Sequence, residues 1–286
     1  SLALGMTYNG AKDETKIAFE NTLNYNTFLS NEINNLNKEI IYHLSDNSSN
    51  SILEVANSIW TEKTFLVKDE FIKKNKEFYD AEIQSLDFSD LKSVAIINNW
   101  VSDKTYQKIP KIIDKISANT KMILLNALYF KSDWKYSFDE KNTKELPFYG
   151  ENETINVKTM HLESDLDFFE NETFTSVKLP YKNDKFSMTL FLPKENQTAS
   201  NIINSLNVDN LQNWNDNYSK KVIDLEMPKF KFAYEKKLNN TLSDLGLGIA
   251  FGGSADFSGI NNSPLRISFV KQKTFIDVDE KEETGC

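Results

Sequence analysis

Two histidines, one cysteine and a surplus of carboxylates are the groups in this chain with chemistry to offer. Metal catalysis needs ligands at set intervals, but His43 and His161 lie in no HExxH pattern, and nothing beside them supplies a zinc-ligand spacing. Cys286, the only cysteine, carries no local signature of a nucleophile. The nucleophile elbow GxSxG, the phosphate-cradling GxxxxGK and the dinucleotide-binding GxGxxG are all missing, and the glycines of FGGSADFSG are wrongly spaced for phosphate. Acidic pairs such as Asp165 and Asp167 read as solvated carboxylates, with nothing that points to a glycosidase pair. The residues therefore describe a protein that is not an enzyme, with no metal and no cofactor. What stands out instead is TFIDVDEKEETGC, from Thr274 to Cys286, where a strand-like alternation runs into an acidic, flexible-looking tail.

The chain that must position these groups has 286 residues, 40% of them hydrophobic and 12% aromatic, enough for a substantial core. Lys and Arg total 33 against 42 Asp and Glu, a formal charge of −9. Such a surface does not attract phosphate, so neither nucleic acid nor an anionic membrane is expected as a partner. A single cysteine excludes an internal disulfide. No apolar stretch approaches the roughly 20 residues that cross a bilayer. SLALGMTYNGAKDET lacks the basic leader and apolar centre of a signal peptide and reads as the end of a helix followed by a turn. Sequons occur at Asn47, Asn152, Asn171, Asn196, Asn217, Asn239 and Asn261, in a chain so rich in Asn that some arise by chance.

Periodicity orders the elements. Residues 12–24 and 27–45 carry helical spacing, the second through Leu29, Ile33, Leu36, Ile40 and Leu44. SILEVANSIW reads as strand, VKDEFIKKNKEFYD as helix, AEIQSLDF as strand and LKSVAIINNWVSDKTY as helix. KMILLNALYF is apolar on both faces, which predicts a central strand covered on both sides with Asn126 in a buried row. Residues 143–193 are almost wholly strand; short helices, a strand pair through MPKFKFAYE and the helix KLNNTLSDLGLG follow. In RISFVKQKTFIDV the alternation turns Val270, Gln272, Thr274, Ile276 and Val278 inward. Helices, then mixed elements, then a long β region define an α+β fold, and with no repeat and no linker the chain reads as one domain.

Several of these segments, in order, resemble the serpin family: SLALGM, ANSIW, FYDAEIQSLDF, INNWVSDKT, LLNALYFKSDWKYSFD, KTMHLE, VKLPYKNDKFSMTLFLPKE, MPKFKFAYEKKLNNTLSDLG, ADFSGI and FVKQKTFIDVDEK. The resemblance covers essentially the whole of 1–286. It implies a large central mixed β-sheet, smaller antiparallel sheets and helices packed around them. It also implies that the family's helix A region, reactive-centre loop and C-terminal strands lie outside this chain, and the reactive bond with them. The implied function is a suicide inhibitor of a serine, or alternatively a cysteine, endopeptidase: a monomer whose cleaved loop inserts as a new strand into a slot in the central sheet. The compartment is left open, with the extracellular side favoured.

Residue by residue, the resemblance makes Asn126 and Gln272 the polar shutter where strands part. Gln272 stands where the family commonly has His, so a titratable switch is lost. Trp134 matches the breach, where the loop first enters. The hinge falls on Glu280, Lys281, Glu282, Glu283 and Thr284. Here the chain departs from the pattern: aligned without a gap, Glu282 replaces a flexible Gly and Glu283 the first inserting Thr. A carboxylate pushed into a sheet costs several kcal/mol or must neutralise. That favours an alternative, a non-inhibitory serpin acting as carrier, chaperone or binding module.

Overall fold

The computed structural model describes residues 2–45, 51–150 and 153–286; the sequons at Asn47 and Asn152 lie outside the described residues. The early helical pattern folds as α1 (Leu2–Tyr8), α2 (Asp13–Leu23) and α3 (Ser30–Leu44), followed by β1 (Ser51–Glu62), α4 (Asp69–Tyr79), β2 (Glu82–Leu86), α5 (Lys92–Lys104) and β3 (Met122–Asp133). The β-rich middle is β4 (Lys144–Tyr149), β5 (Thr154–Glu170), β6 (Phe174–Pro180) and β7 (Ser187–Pro193). Next come α6 (Ala199–Ser205), α7 (Val208–Asp216), β8 (Ser219–Pro228), β9 (Phe230–Lys237) and α8 (Asn239–Leu242), and the chain closes with β10 (Lys271–Val278) and β11 (Glu282–Gly285).

Six strands build the large sheet in the order β2-β1-β3-β11-β10-β9. It is mixed because β1 and β2 run parallel while the other neighbours run antiparallel. The second sheet, β4-β5-β6-β7 with β8 on β5, is antiparallel. Where separate smaller sheets were expected, the described residues form this one. The 17-residue β5 pairs with β4 at its start, β8 along its length and β6 at its end, and so joins them. The two sheets meet where Trp134 bridges Tyr181, and Lys182 N–H donates to the Asp133 carbonyl at 2.9 Å.

β3 departs from the expected double cover. One face lies under α5: Ile123, Leu125 and Ala127 pack with Trp60, Ile97 and Trp100. On the other, Met122 and Leu124 join the cluster around α1 and Phe130 joins the core between the sheets, but Asn126 and Leu128 between them are exposed. Asn126 is therefore not in a buried row; the cover is interrupted at its level. Gln272 on β10 is likewise exposed, although Ile276 and Val278 on the same alternation do turn into the core. α3 shows a similar shift: Leu29, Leu36 and Ile40 are exposed, and the helix buries Ile33, Asn34 and Asn37 instead. Near α1 the chain comes close to itself, where Gly259 N–H donates to the Gly10 carbonyl at 3.1 Å; a Cβ on Gly259 would lie 2.7 Å from that oxygen, so only glycine fits. Three sequon asparagines have committed amides, Asn217 donating to the Asn213 carbonyl, Asn239 to that of Ser268 and Asn261 to that of Leu66.

Candidate functional site

The site is built where β10 ends. The acidic segment expected to be flexible turns back and forms β11, the strand between β3 and β10. Asp279 makes the turn: its N–H donates to the Glu282 carbonyl at 3.1 Å, and its carboxylate accepts from the N–H groups of Lys281 at 2.9 Å and Glu282 at 3.1 Å. An Asp before two loop residues supplies a side-chain mimic of the backbone turn. The returning strand then pairs on both sides. Glu283 lies between Ser132 and Val278, Thr284 between Lys131 and Asp277, and Gly285 between Phe130 and Ile276. Cys286 continues the ladder, exchanging hydrogen bonds with Phe275 at 2.7 and 2.9 Å.

Trp134 anchors the turn from beneath. Fully buried, it stacks on Tyr181 with ring centroids 4.8 Å apart. Its indole N–H donates to the Asp279 carbonyl at 2.9 Å, and its backbone N–H donates to that of Lys281 at 2.9 Å. Phe138 N–H adds a bond to the Glu280 carbonyl at 3.0 Å. Glu280 is buried at 6% exposure, and its carboxylate accepts from Lys229 at 2.5 Å and Thr143 at 2.9 Å. Burial pushes this carboxyl up, yet the Lys229 ammonium and the other donors outweigh it and hold the group below the ordinary range.

Alternation along β11 separates the two following carboxylates. Glu282 faces the α5 side and pairs with Lys131 at 3.0 Å; Thr284, 5% exposed, shares that face. Glu283 faces the core between the sheets, where the Tyr181 hydroxyl donates to it. Removal from water pushes its carboxyl up to about 7. Cys286 returns to the α5 face and packs in the cluster around Trp60 and Trp100; burial raises its thiol to about 11.

The structure brings together Trp134, Glu280, Lys281, Glu282, Glu283 and Thr284. Asn126 and Gln272 stand apart from them and from each other. Asn126 donates to the Asn57 side chain at 2.9 Å. Carried on by four residues, the register of β11 passes between Asn126 and Gln272, so the pair lies level on the two strands that flank it. Sequence reasoning missed Lys229, Thr143 and Tyr181 as partners of the acidic segment. A lone lysine between β8 and β9 and a tyrosine just past β6 give no local signal; only the packing of the two sheets reveals what they meet. Among the described residues no His, Cys, Asp and Glu cluster is placed to hold a metal, and no helix is long and apolar enough to cross a membrane.

A mixed central sheet with a returning strand between two neighbours, its turn held by a buried tryptophan, and a second antiparallel sheet define an α+β protein. The family model described as Serpin (serine protease inhibitor) matches residues 1–285. An uncharacterized serpin-like protein of Methanosarcina mazei is 33% identical over 291 residues, covering 98% of this chain and 67% of that protein. Iripin-2 of Ixodes ricinus is 31% identical over 289 residues, covering 98% and 73%. The solved structure of a thermophilic serpin, tengpin, in the latent state superposes with a TM-score of 0.92 at 33% identity, covering 99% of this chain and 78% of that one. The chain belongs to the serpin family, a family generally of protease inhibitors and not of enzymes.

Proposed function

We propose that this chain is the framework of a serpin-type inhibitor of a serine endopeptidase, with a cysteine endopeptidase as the alternative target. The observation that carries the reading is β11, which leaves β10 through a tight turn and lies antiparallel to both β3 and β10. In this reading Glu280, Lys281, Glu282, Glu283 and Thr284 are the hinge. Trp134 is the breach that receives them, and Asn126 with Gln272 forms the shutter that the growing strand passes. A peptidase cleaves the bait beyond the hinge and becomes acylated. The freed strand then zips downward and carries the enzyme away before water completes hydrolysis. Each new ladder bond adds about 1 kcal/mol net, and the strand also buries alternate side chains. The protein acts as a monomer.

One observation favours a second reading. Glu283, at the first inserting position, faces a partly apolar site with a single hydroxyl as partner. A slow insertion step leaves a cleaved substrate, or a binding module, in place of a trapped enzyme. Incubating the protein as its gene encodes it with serine and cysteine endopeptidases, followed by denaturing gels, separates the two. A complex that survives SDS supports inhibition. Clean cleavage without a complex supports the second reading, and a protein neither cleaved nor complexed by any of them sinks the first.

A further inference from the structure

We propose that Glu283 makes the seating of β11 a proton-coupled step, so that acid drives the strand between β3 and β10 and alkali releases it. The inference rests on the strand-insertion reading and adds its control.

The geometry gives Glu283 no choice of side. Its register between Ser132 and Val278 fixes which face it takes, and that face holds Val278 and Trp134, both fully buried, with Phe130 and Ile276 packed against the same core. A slip by one residue would move Glu283 to the α5 face but turn Thr284 toward the core between the sheets and lose the turn at Asp279. The charged groups of the two flanking strands are otherwise directed. On β3, Lys131 and Asp133 take the opposite face, Lys131 pairing with Glu282 at 3.0 Å and Asp133 with Lys182 at 3.1 Å. On β10, Asp277 also takes the opposite face and pairs with Lys231 at 2.7 Å. Beyond β6, Asp184 is held by Lys135 at 2.5 Å. Among the described residues, only the uncharged Tyr181 hydroxyl is hydrogen-bonded to the carboxyl.

No cation among the described residues therefore compensates the buried charge, and the cheaper route is to take up a proton. Out of the sheet Glu283 is an ordinary carboxyl near 4.5; seated, it titrates near 7. The sign follows from linkage. Below 4.5 both states are protonated and insertion carries no penalty; through the interval the seated state binds the extra proton; above 7 both are ionised and the penalty is complete. The separation makes the seating equilibrium roughly a hundredfold weaker at pH 8 than at pH 5.

Cys286 reports on the step, because seating packs its thiol against the Trp60 and Trp100 cluster. The experiment is alkylation of the protein with iodoacetamide between pH 5 and pH 8. Each rate is divided by that of a free Glu-Thr-Gly-Cys peptide to cancel the thiol's own titration. The wild type is expected to lose protection by roughly two orders of magnitude across that range. Glu283→Gln, which keeps the shape without the charge, should stay protected within about threefold, and Glu195→Gln, an exposed carboxylate in the loop after β7, should follow the wild type. If the wild type and Glu283→Gln are protected alike at every pH, the proton coupling is wrong while strand insertion stands. If both react as fast as the free peptide at every pH, the strand is not seated, and both the coupling and the reading beneath it fall.

Discussion

Glu280 and Glu283 flank the same turn and answer pH in opposite senses. Glu280 is held below its ordinary value of 4.5 once seated against Lys229, so its stabilisation is present above 4.5 and is lost as pH falls through the depressed value. Glu283 is raised to about 7, so its seated form is favoured in acid and the advantage is lost as pH rises through 7. The two effects place the best-held state near pH 4.5, with the Glu280 contribution lost below it and that of Glu283 lost progressively from there to about 7. Urea unfolding of each variant beside the wild type measures this, because the difference cancels carboxylates elsewhere. Glu283→Gln should be the more stable protein at pH 8, by ~2–3 kcal/mol, and indistinguishable at pH 5. Glu280→Gln should be the less stable one at pH 7 by ~1–3 kcal/mol, with the gap closing in strong acid. A Glu283→Gln gap that widens toward acid would contradict the assignment of burial as the cause.

Elements differ in how far their sequence declares them. The strands were legible because a period of two survives without knowledge of the partner, and the order of helices and strands placed the chain in the α+β class. The facing of α3 was not. Its apolar stripe through Leu29, Leu36 and Ile40 points outward, because Asn34 and Asn37 find partners inside: Asn34 donates to Asn9 at 2.9 Å, and Asn37 to the Ile33 carbonyl at 2.9 Å and the Tyr79 hydroxyl at 3.2 Å. Asn37 is satisfied there and Asn34 through its amide N–H alone, its side-chain oxygen having no partner among the described residues, and periodicity does not show which amides can go inward. β11 was hidden for a related reason. Four residues with two carboxylates look like a tail until side-chain contacts set Lys131 against Glu282 and Tyr181 against Glu283. What was readable in that segment was Asp279, a turn residue placed where the strand must reverse. Asp279→Ala removes the acceptor of two backbone N–H groups and should cost about 1–2 kcal/mol of strand seating. Hydrogen exchange checks this at Lys281 and Glu282, whose amides should lose protection while those of β8 keep theirs.

For the whole molecule, β11 is the strand that joins two otherwise separate halves of the large sheet. On one side β2, β1 and β3 pack beneath α5; on the other β10 and β9 form a two-stranded ribbon, and β11 alone pairs with both β3 and β10. Two-stranded ribbons are marginal by themselves, so the stability of β9 and β10 depends on that link as well as on the core under Val278. Ending the chain after Lys281 removes the ladder on both sides. Each lost bond is worth about 1 kcal/mol net, partly offset by the ~1–2 kcal/mol per residue no longer spent in ordering the strand. The net loss is a few kcal/mol, which at this chain length lowers Tm by several degrees. Because only a protonated Glu283 seats without penalty, the drop relative to the intact chain should be larger at pH 5 than at pH 8. Scanning calorimetry of the two chains at both pH values tests the link and its proton together. An equal drop at both leaves the strand as the joint but removes the proton, and no drop at either means the halves hold without it.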